Sequence, residues 1–248
     1  MYAIGPVTGE YESMNQNLPS ILVISSCGKL KIVSLPNEPT CIDLLEHEQR
    51  ESAKKEYKQS STKAGYLYTG EQAKFVRKSV DVLRHFCLVD YKILSAGFGL
   101  VDEQESLPPY DCSFTNKTKK EIVDMAERLS IHNEIKHIAK KKYDLVYLAL
   151  GKDYLTAVGD VNIFAPNSSL VVHFNPNLVY EAENIFSVNQ KLIVGKKYNH
   201  QIFKSPIGGY IRAKGSLLLN YALDLKEQNS NPKKFDFRQW WEQKKVLL

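Results

Sequence analysis

The chain has 248 residues, is 43% hydrophobic and 25% charged, and carries a formal charge of +5. These proportions describe an ordinary globular protein with enough apolar material for a sizeable core, and a mild charge that permits a polyanionic partner without demanding one. No apolar run reaches the roughly 18 residues of a membrane-spanning helix. The four cysteines lack Cys-x-x-Cys spacing and the six histidines are scattered, so neither a metal site nor a cofactor is expected.

Met1 to Gln16 is a polar stretch containing Glu10 and Glu12, which argues against a signal peptide. The cysteines therefore read as free thiols in a reducing cytoplasm. Leu18 to Ser26 is a continuous apolar run closed by Ser26-Cys27-Gly28-Lys29, the pattern of a fully buried first strand. Cys41 to Lys58 has helical spacing, and Gln59-Ser-Ser-Thr reads as an open loop. A helix from Glu71 to Cys87 is expected, with Thr69 as its N-cap and Phe75, Val76, Ser79, Val82 and Leu83 facing inward.

Tyr91 to Ser95 reads as the second strand, breaking at Ser95-Ala96-Gly97. A loop fixed by Pro108 and Pro109 then delivers Tyr110 and Asp111. A long helix is expected from Lys119 to Lys141, a third strand from Asp144 to Leu150, and a short helix from Tyr154 to Val158. The fourth strand is Ser169 to Phe174, and helical spacing returns from Ile211 to Leu225. Alternating strands and helices predict an α/β fold with a mostly parallel sheet and helices on both faces. The α/β core is expected over residues 1–180, including the polar leader, with a basic, aromatic region over residues 181–248 packed on it.

In such a sheet ligands bind beyond the carboxyl ends of the strands. Those ends carry Ser26, Cys27 and Lys29, then Ser95 and Gly99, then Lys152, and then His173 and Asn175. Neither the Gly-x4-Gly-Lys-Ser/Thr nor the Gly-x-Gly-x-x-Gly spacing occurs, which disfavours nucleotide hydrolysis and dinucleotide binding. Asp111 is the carboxylate best placed to reach this cleft. It either stabilises positive charge there, orients a water, or simply caps or pairs locally. His173 reads as a satisfied core histidine rather than a catalyst, and Cys27 and Cys112 as buried structural thiols rather than nucleophiles. Lys29 and Lys152 are candidate amine nucleophiles.

Between Asn184 and Ala222 there is no Asp or Glu, while Lys191, Lys196, Lys197, Lys204, Arg212 and Lys214 alternate with Tyr198, Phe203 and Tyr210. The tail adds Trp240 and Trp241 amid lysines. Interleaved cations and aromatics suit phosphate tracking and base stacking, so these residues and Lys152 are expected to contact nucleic acid.

Five motifs stand in order: Ile24-Ser-Ser-Cys-Gly-Lys-Leu-Lys, Leu67-Tyr-Thr-Gly, Ile93-Leu-Ser-Ala-Gly-Phe-Gly-Leu, Pro109-Tyr-Asp and Leu148-Ala-Leu-Gly-Lys-Asp-Tyr. Their succession over residues 20–155 resembles the YaaA-like, peroxide-stress-protein family. The resemblance departs at Gly97-Phe98, where that family often has a basic and an aromatic residue. It implies a Rossmann-like core, DNA binding and an association with modified bases; the family includes phage-defence glycosylases that remove glucosylated hydroxymethylcytosine. Carried over, the pocket would comprise Ser26, Cys27, Lys29, Tyr68, Ser95, Gly99, Tyr110 and Asp111, with His173 and Asn175 at the neighbouring strand end.

The expectation is thus a monomeric, cytoplasmic DNA glycosylase acting on a modified, extruded base, without metal or cofactor, with Asp111 and Tyr110 catalytic. Tyr110 and Tyr68 would stack on the base or hydrogen-bond its substituents. Two alternatives remain open: a non-catalytic DNA-binding protein of oxidative stress, and an enzyme of modified-nucleoside metabolism.

Overall fold

The computed structural model describes residues 18–178, 180, 182–189, 192, 202–207, 209 and 212–247. In chain order the elements are β1 (Ser20–Ser26), a 3₁₀ turn (Ile42–Leu44), α1 (His47–Glu56), β2 (Thr62–Lys63), α2 (Ala64–Leu67), α3 (Glu71–Leu83), β3 (Leu88–Ser95), β4 (Gly99–Asp102) and β5 (Ser106–Leu107). There follow α4 (Lys119–Arg128), α5 (Ile131–Ile138), β6 (Leu145–Ala149), α6 (Lys152–Val158), a 3₁₀ segment (Val161–Asn167), β7 (Val171–His173), β8 (Ile185–Ser187), α7 (Ala213–Glu227) and α8 (Phe237–Val246).

The sheet has the order β4-β3-β1-β6-β7-β8. All neighbours are parallel except β3 and β4. This is the expected α/β architecture, a mostly parallel sheet flanked by helices. β1 sits in the middle because it is apolar on both faces: Ile21, Leu22, Val23 and Ile24 are all fully buried. From β1 the chain crosses to β3 on one side and later to β6 on the other. The direction of winding therefore reverses at β1, leaving a crevice between the carboxyl ends of β1 and β6.

Several local expectations are corrected. The chain does not leave β3 by a βα turn but doubles back as the antiparallel hairpin β3–β4. Gly99 opens β4 at φ +78°, and a Cβ there would meet Leu129 O at 2.8 Å, so only glycine fits. The single helix expected over 119–141 breaks at Ser130, which takes the left-handed conformation at φ 54° and starts α5 as a separate element. The N-cap of α3 is Gly70, not Thr69, whose N–H instead donates to Leu30 O. α3 ends at Leu83 and β7 covers only three residues.

The cysteine expectation also fails in part. Cys41 and Cys112 form a disulfide, while Cys27 and Cys87 are free and buried. Thr40 and Asp111 form a β-bridge in which Asp111 N–H donates to Pro39 O at 2.8 Å. That bridge sets the neighbouring Cys41 and Cys112 with their Cα atoms 4.7 Å apart. Their separation of 71 residues in sequence hid the pairing.

The C-terminal aromatics close the core rather than the surface. Twelve of the fifteen residues of α7 are buried. Gly215 lets α7 approach α3, since a Cβ there would stand 2.7 Å from Gln72 O and 2.9 Å from Phe75 Cβ. Phe237, Trp240 and Trp241 on α8 are buried. Tyr147 on β6 meets Phe237 edge to face at 5.3 Å, which joins the tail to the sheet. Among the described residues no helix is long and apolar enough to cross a membrane.

Candidate functional site

A cleft of about 590 Å³ opens where the winding reverses. The turn after β1 supplies Ser26, Cys27, Gly28, Lys29 and Lys31. The segment after the proline pair supplies Asp111, Cys112 and Ser113, and the start of α6 supplies Gly151, Lys152, Asp153 and Tyr154. Gln72 of α3 and Lys214 of α7 complete the wall. Ser25 of β1 is in register with both Ile93 of β3 and Ala149 of β6, so β3 runs two residues past the level at which β6 ends. Three segments far apart in sequence therefore converge on one opening, of a size suited to a small ligand.

Four lysines and two aspartates line this cleft, so its potential is positive and favours an anionic ligand. Asp111 is exposed, and its backbone, not its carboxylate, is tied down by the bridge to Thr40. Lys29 and Lys152 are exposed. Lys31 is half-buried with its ammonium 4.4 Å from the centre of the Tyr110 ring. Burial lowers the pKa of Lys31 despite the opposing influence of Cys27, Glu38 and Asp111. Lys214 is only 4% exposed, and burial brings its ammonium down to about 8.

Behind this wall lies a layer of buried hydroxyls. Tyr110 O–H stands 2.7 Å from Tyr68 O–H and 2.7 Å from Ser95 Oγ, which also accepts from Phe98 N–H at 2.9 Å. Burial raises the pKa of both tyrosines well above the phenol range, and the neighbouring Cys27 adds to the effect. Closer to the opening, Cys27 Sγ and Tyr154 O–H are 3.0 Å apart.

The expected pocket thus divides. Ser26, Cys27, Lys29, Asp111 and Lys152 line the cleft; Tyr68, Ser95 and Tyr110 form its fully buried backing, so neither tyrosine offers a face for a base to stack on. Gly99 lies in the hairpin against Leu129. His173 and Asn175 are not among the cleft residues. His173 is fully buried, accepts from Asn175 N–H at 3.3 Å, and is held neutral, its pKa brought down to about 4 by burial.

The expected nucleic-acid contacts divide too. Trp240 and Trp241 are corrected: both are buried, and Trp240 N–H donates to Asp224 at 2.8 Å, because α8 uses its indoles to seal α7. Lys204 pairs with Asp224 at 2.8 Å and with Glu227, and Arg212 pairs with Glu71. Lys214 faces the cleft instead of an outer surface. Lys191, Lys196 and Lys197 lie outside the described residues. Sequence reasoning missed Lys31, although it stands in the same Lys-x-Lys step as Lys29. It also missed Gln72, whose side-chain N–H donates to Ala149 O at 3.0 Å and which nothing in the sequence marked.

Fold and cleft together define a doubly wound α/β protein with a lysine-lined, carboxylate-bearing site at its topological switch point. Residues 52–168 match the model of a family of unknown function, DUF6884. The matched span contains Gln72, Asp111, Lys152 and Tyr154 but not the β1 turn or Lys214. No curated protein matches the chain.

Proposed function

We propose that the cleft takes one nucleotide unit of DNA and cleaves its N-glycosidic bond, as a glycosylase directed at a modified base. The observation that carries this reading is an exposed carboxylate, Asp111, on the wall of a cleft that also carries four lysines. Lys29 and Lys152 suit the flanking phosphates. As the bond between C1′ and the base nitrogen breaks, its electron pair leaves with the base and positive charge grows at C1′. Asp111 would stabilise that charge and orient the water that adds there, the water's proton compensating the departing base. Base extrusion would bring the nucleotide into the cleft. The ordered motifs over residues 20–155 are what favour a YaaA-like relative, and with it a cytoplasmic monomer active against phage carrying modified DNA. A cytosolic disulfide is uncommon, so the state of Cys41 and Cys112 bears directly on that placement.

A second reading, action on free modified nucleotides, is favoured by a specific observation. The tail indoles are buried, and Lys204 and Arg212 are paired with carboxylates, so these residues are not arranged to track a polymer.

The test incubates the protein with unmodified, hydroxymethylated and glucosyl-hydroxymethylated DNA, and with the corresponding mononucleotides. Release of base from one modified DNA, falling steeply with added salt, supports the glycosylase. Release only from mononucleotides favours the second reading. DNA binding without base release from any substrate overturns both.

A further inference from the structure

Lys214 is the buried lysine of the cleft, and the proposed reaction gives it no role. It lies in the first turn of α7, is 4% exposed, and lines the same cleft as Asp111. An ammonium is disfavoured there for two independent reasons. The surroundings strip it of water, and the positive N-terminal end of the α7 macrodipole repels a cation. Its backbone is also fixed: Tyr147 O–H donates to Lys214 O at 2.7 Å, and Gly215 locks α7 against α3. A poorly hydrated amine carried on a fixed backbone at a cleft is an arrangement that favours lysine as a nucleophile toward carbonyl carbon.

We propose that Lys214 is an imine-forming residue, condensing with the C1′ aldehyde of the ring-opened deoxyribose that remains once a base has left. This deepens the glycosylase reading and rests on it for the origin of the aldehyde. The Nζ lone pair adds to C1′ to give a carbinolamine, which loses water to leave a protonated imine. That positive nitrogen makes the C2′ hydrogen acidic. A proton passes from C2′ to a base in the cleft, where Asp111 is the exposed carboxylate. The C3′–O bond then breaks, with its electron pair departing on the 3′ phosphate, and water hydrolyses the imine to regenerate the amine. The protein would therefore nick the strand as well as remove the base. Burial brings the amine down to about 8, so more of it is neutral near pH 7.5 than of an ordinary lysine.

The experiment supplies an oligonucleotide with a preformed abasic site, so that no base excision is needed, and adds sodium borohydride to reduce any imine to a stable secondary amine. The full-length protein is then digested and the modified peptide sequenced by mass spectrometry. The expected result is a covalent adduct on Lys214. It should fall at least about tenfold in Lys214→Met, whose side chain has similar volume, and persist in Lys55→Met, which removes an exposed lysine on α1. Adduct mapped to another amine, or no adduct at all, overturns the proposal; because the mapping is done on the unaltered protein, it stands even if Lys214→Met folds poorly. Base release from modified DNA without trapping removes Lys214 and keeps the glycosylase. Trapping at Lys214 without base release from any substrate keeps the amine site and removes the glycosylase.

Discussion

Tyr68 and Tyr110, 42 residues apart, share a hydrogen bond of 2.7 Å between hydroxyls that are fully enclosed. Tyr110 immediately precedes Asp111, so this bond anchors the segment that brings the carboxylate to the cleft. Tyr110→Phe deletes the hydroxyl that joins Tyr68 to Ser95. The expected loss of stability is about 1–3 kcal/mol, the cost of leaving buried polar groups without a partner. Urea denaturation measures it; an unchanged midpoint would mean the hydroxyl network contributes nothing.

Asp111→Asn should behave in the opposite way. The side chain is exposed and the bridge to Thr40 runs through the backbone, so stability should change by no more than about 0.5 kcal/mol. Base release should fall by roughly 10²–10³, the scale of a lost electrostatic contact to a transition state. Full excision activity in a folded variant would remove Asp111 from the mechanism.

Gly215 supports fold and site together. A Cβ at this position would stand 2.7 Å from Gln72 O, a backbone atom that has no room to move. Gly215→Val should lower stability by about 1–3 kcal/mol through forced separation of α3 and α7. Because Gln72 and Lys214 stand on either side of that contact, imine trapping should drop in parallel. A melting curve and the trapping assay on the same preparation check the two effects.

His173 predicts an acid sensitivity. In the fold it stays neutral down to about 4, while the unfolded chain takes up this proton near 6.5. Between these values the unfolded state binds more protons, so stability falls as pH drops from 6.5 toward 4 and this contribution levels off below that. Its full size is on the order of 3 kcal/mol. Unfolding free energies at pH 7 and 4.5 should converge in His173→Gln relative to the unaltered protein; an equal drop in both would assign the acid sensitivity elsewhere.

The disulfide makes a chemical prediction. Under denaturing, non-reducing conditions a thiol-alkylating reagent should label Cys27 and Cys87 alone, with a Cys41–Cys112 crosslinked peptide in the digest. Reduction should cost about 2–5 kcal/mol and lower activity, since the bridge ties residues 39–41 to the segment bearing Asp111. Labelling of all four cysteines without reductant would show the pair to be open in solution.

Much of the candidate site was legible because its chemistry sits in short local patterns. Ser26-Cys27-Gly28-Lys29 and Gly151-Lys152 were recognisable as strand-end turns, and the proline pair pointed to Asp111. The fold class followed from the alternation of strand and helix patterns, and the unbroken apolarity of Ile21–Ile24 marked β1 as a buried strand. The aromatic tail misled for a physical reason. The sequence shows indoles and lysines close together, but not which of them turn inward, and α8 puts Phe237, Trp240 and Trp241 on its packed face while its lysines are paired.

By itself, the sequence determined the alternation of strands and helices, the buried character of β1 and the small-residue turns after β1 and β6, because periodicity and backbone freedom are local properties. Only the tertiary structure decided that β3 folds back on β4, that Cys41 meets Cys112, that Tyr68 and Tyr110 stand behind the cleft, and that Lys214 lines it. Each of these depends on segments brought together from far along the chain, where packing, and not local preference, selects the contact.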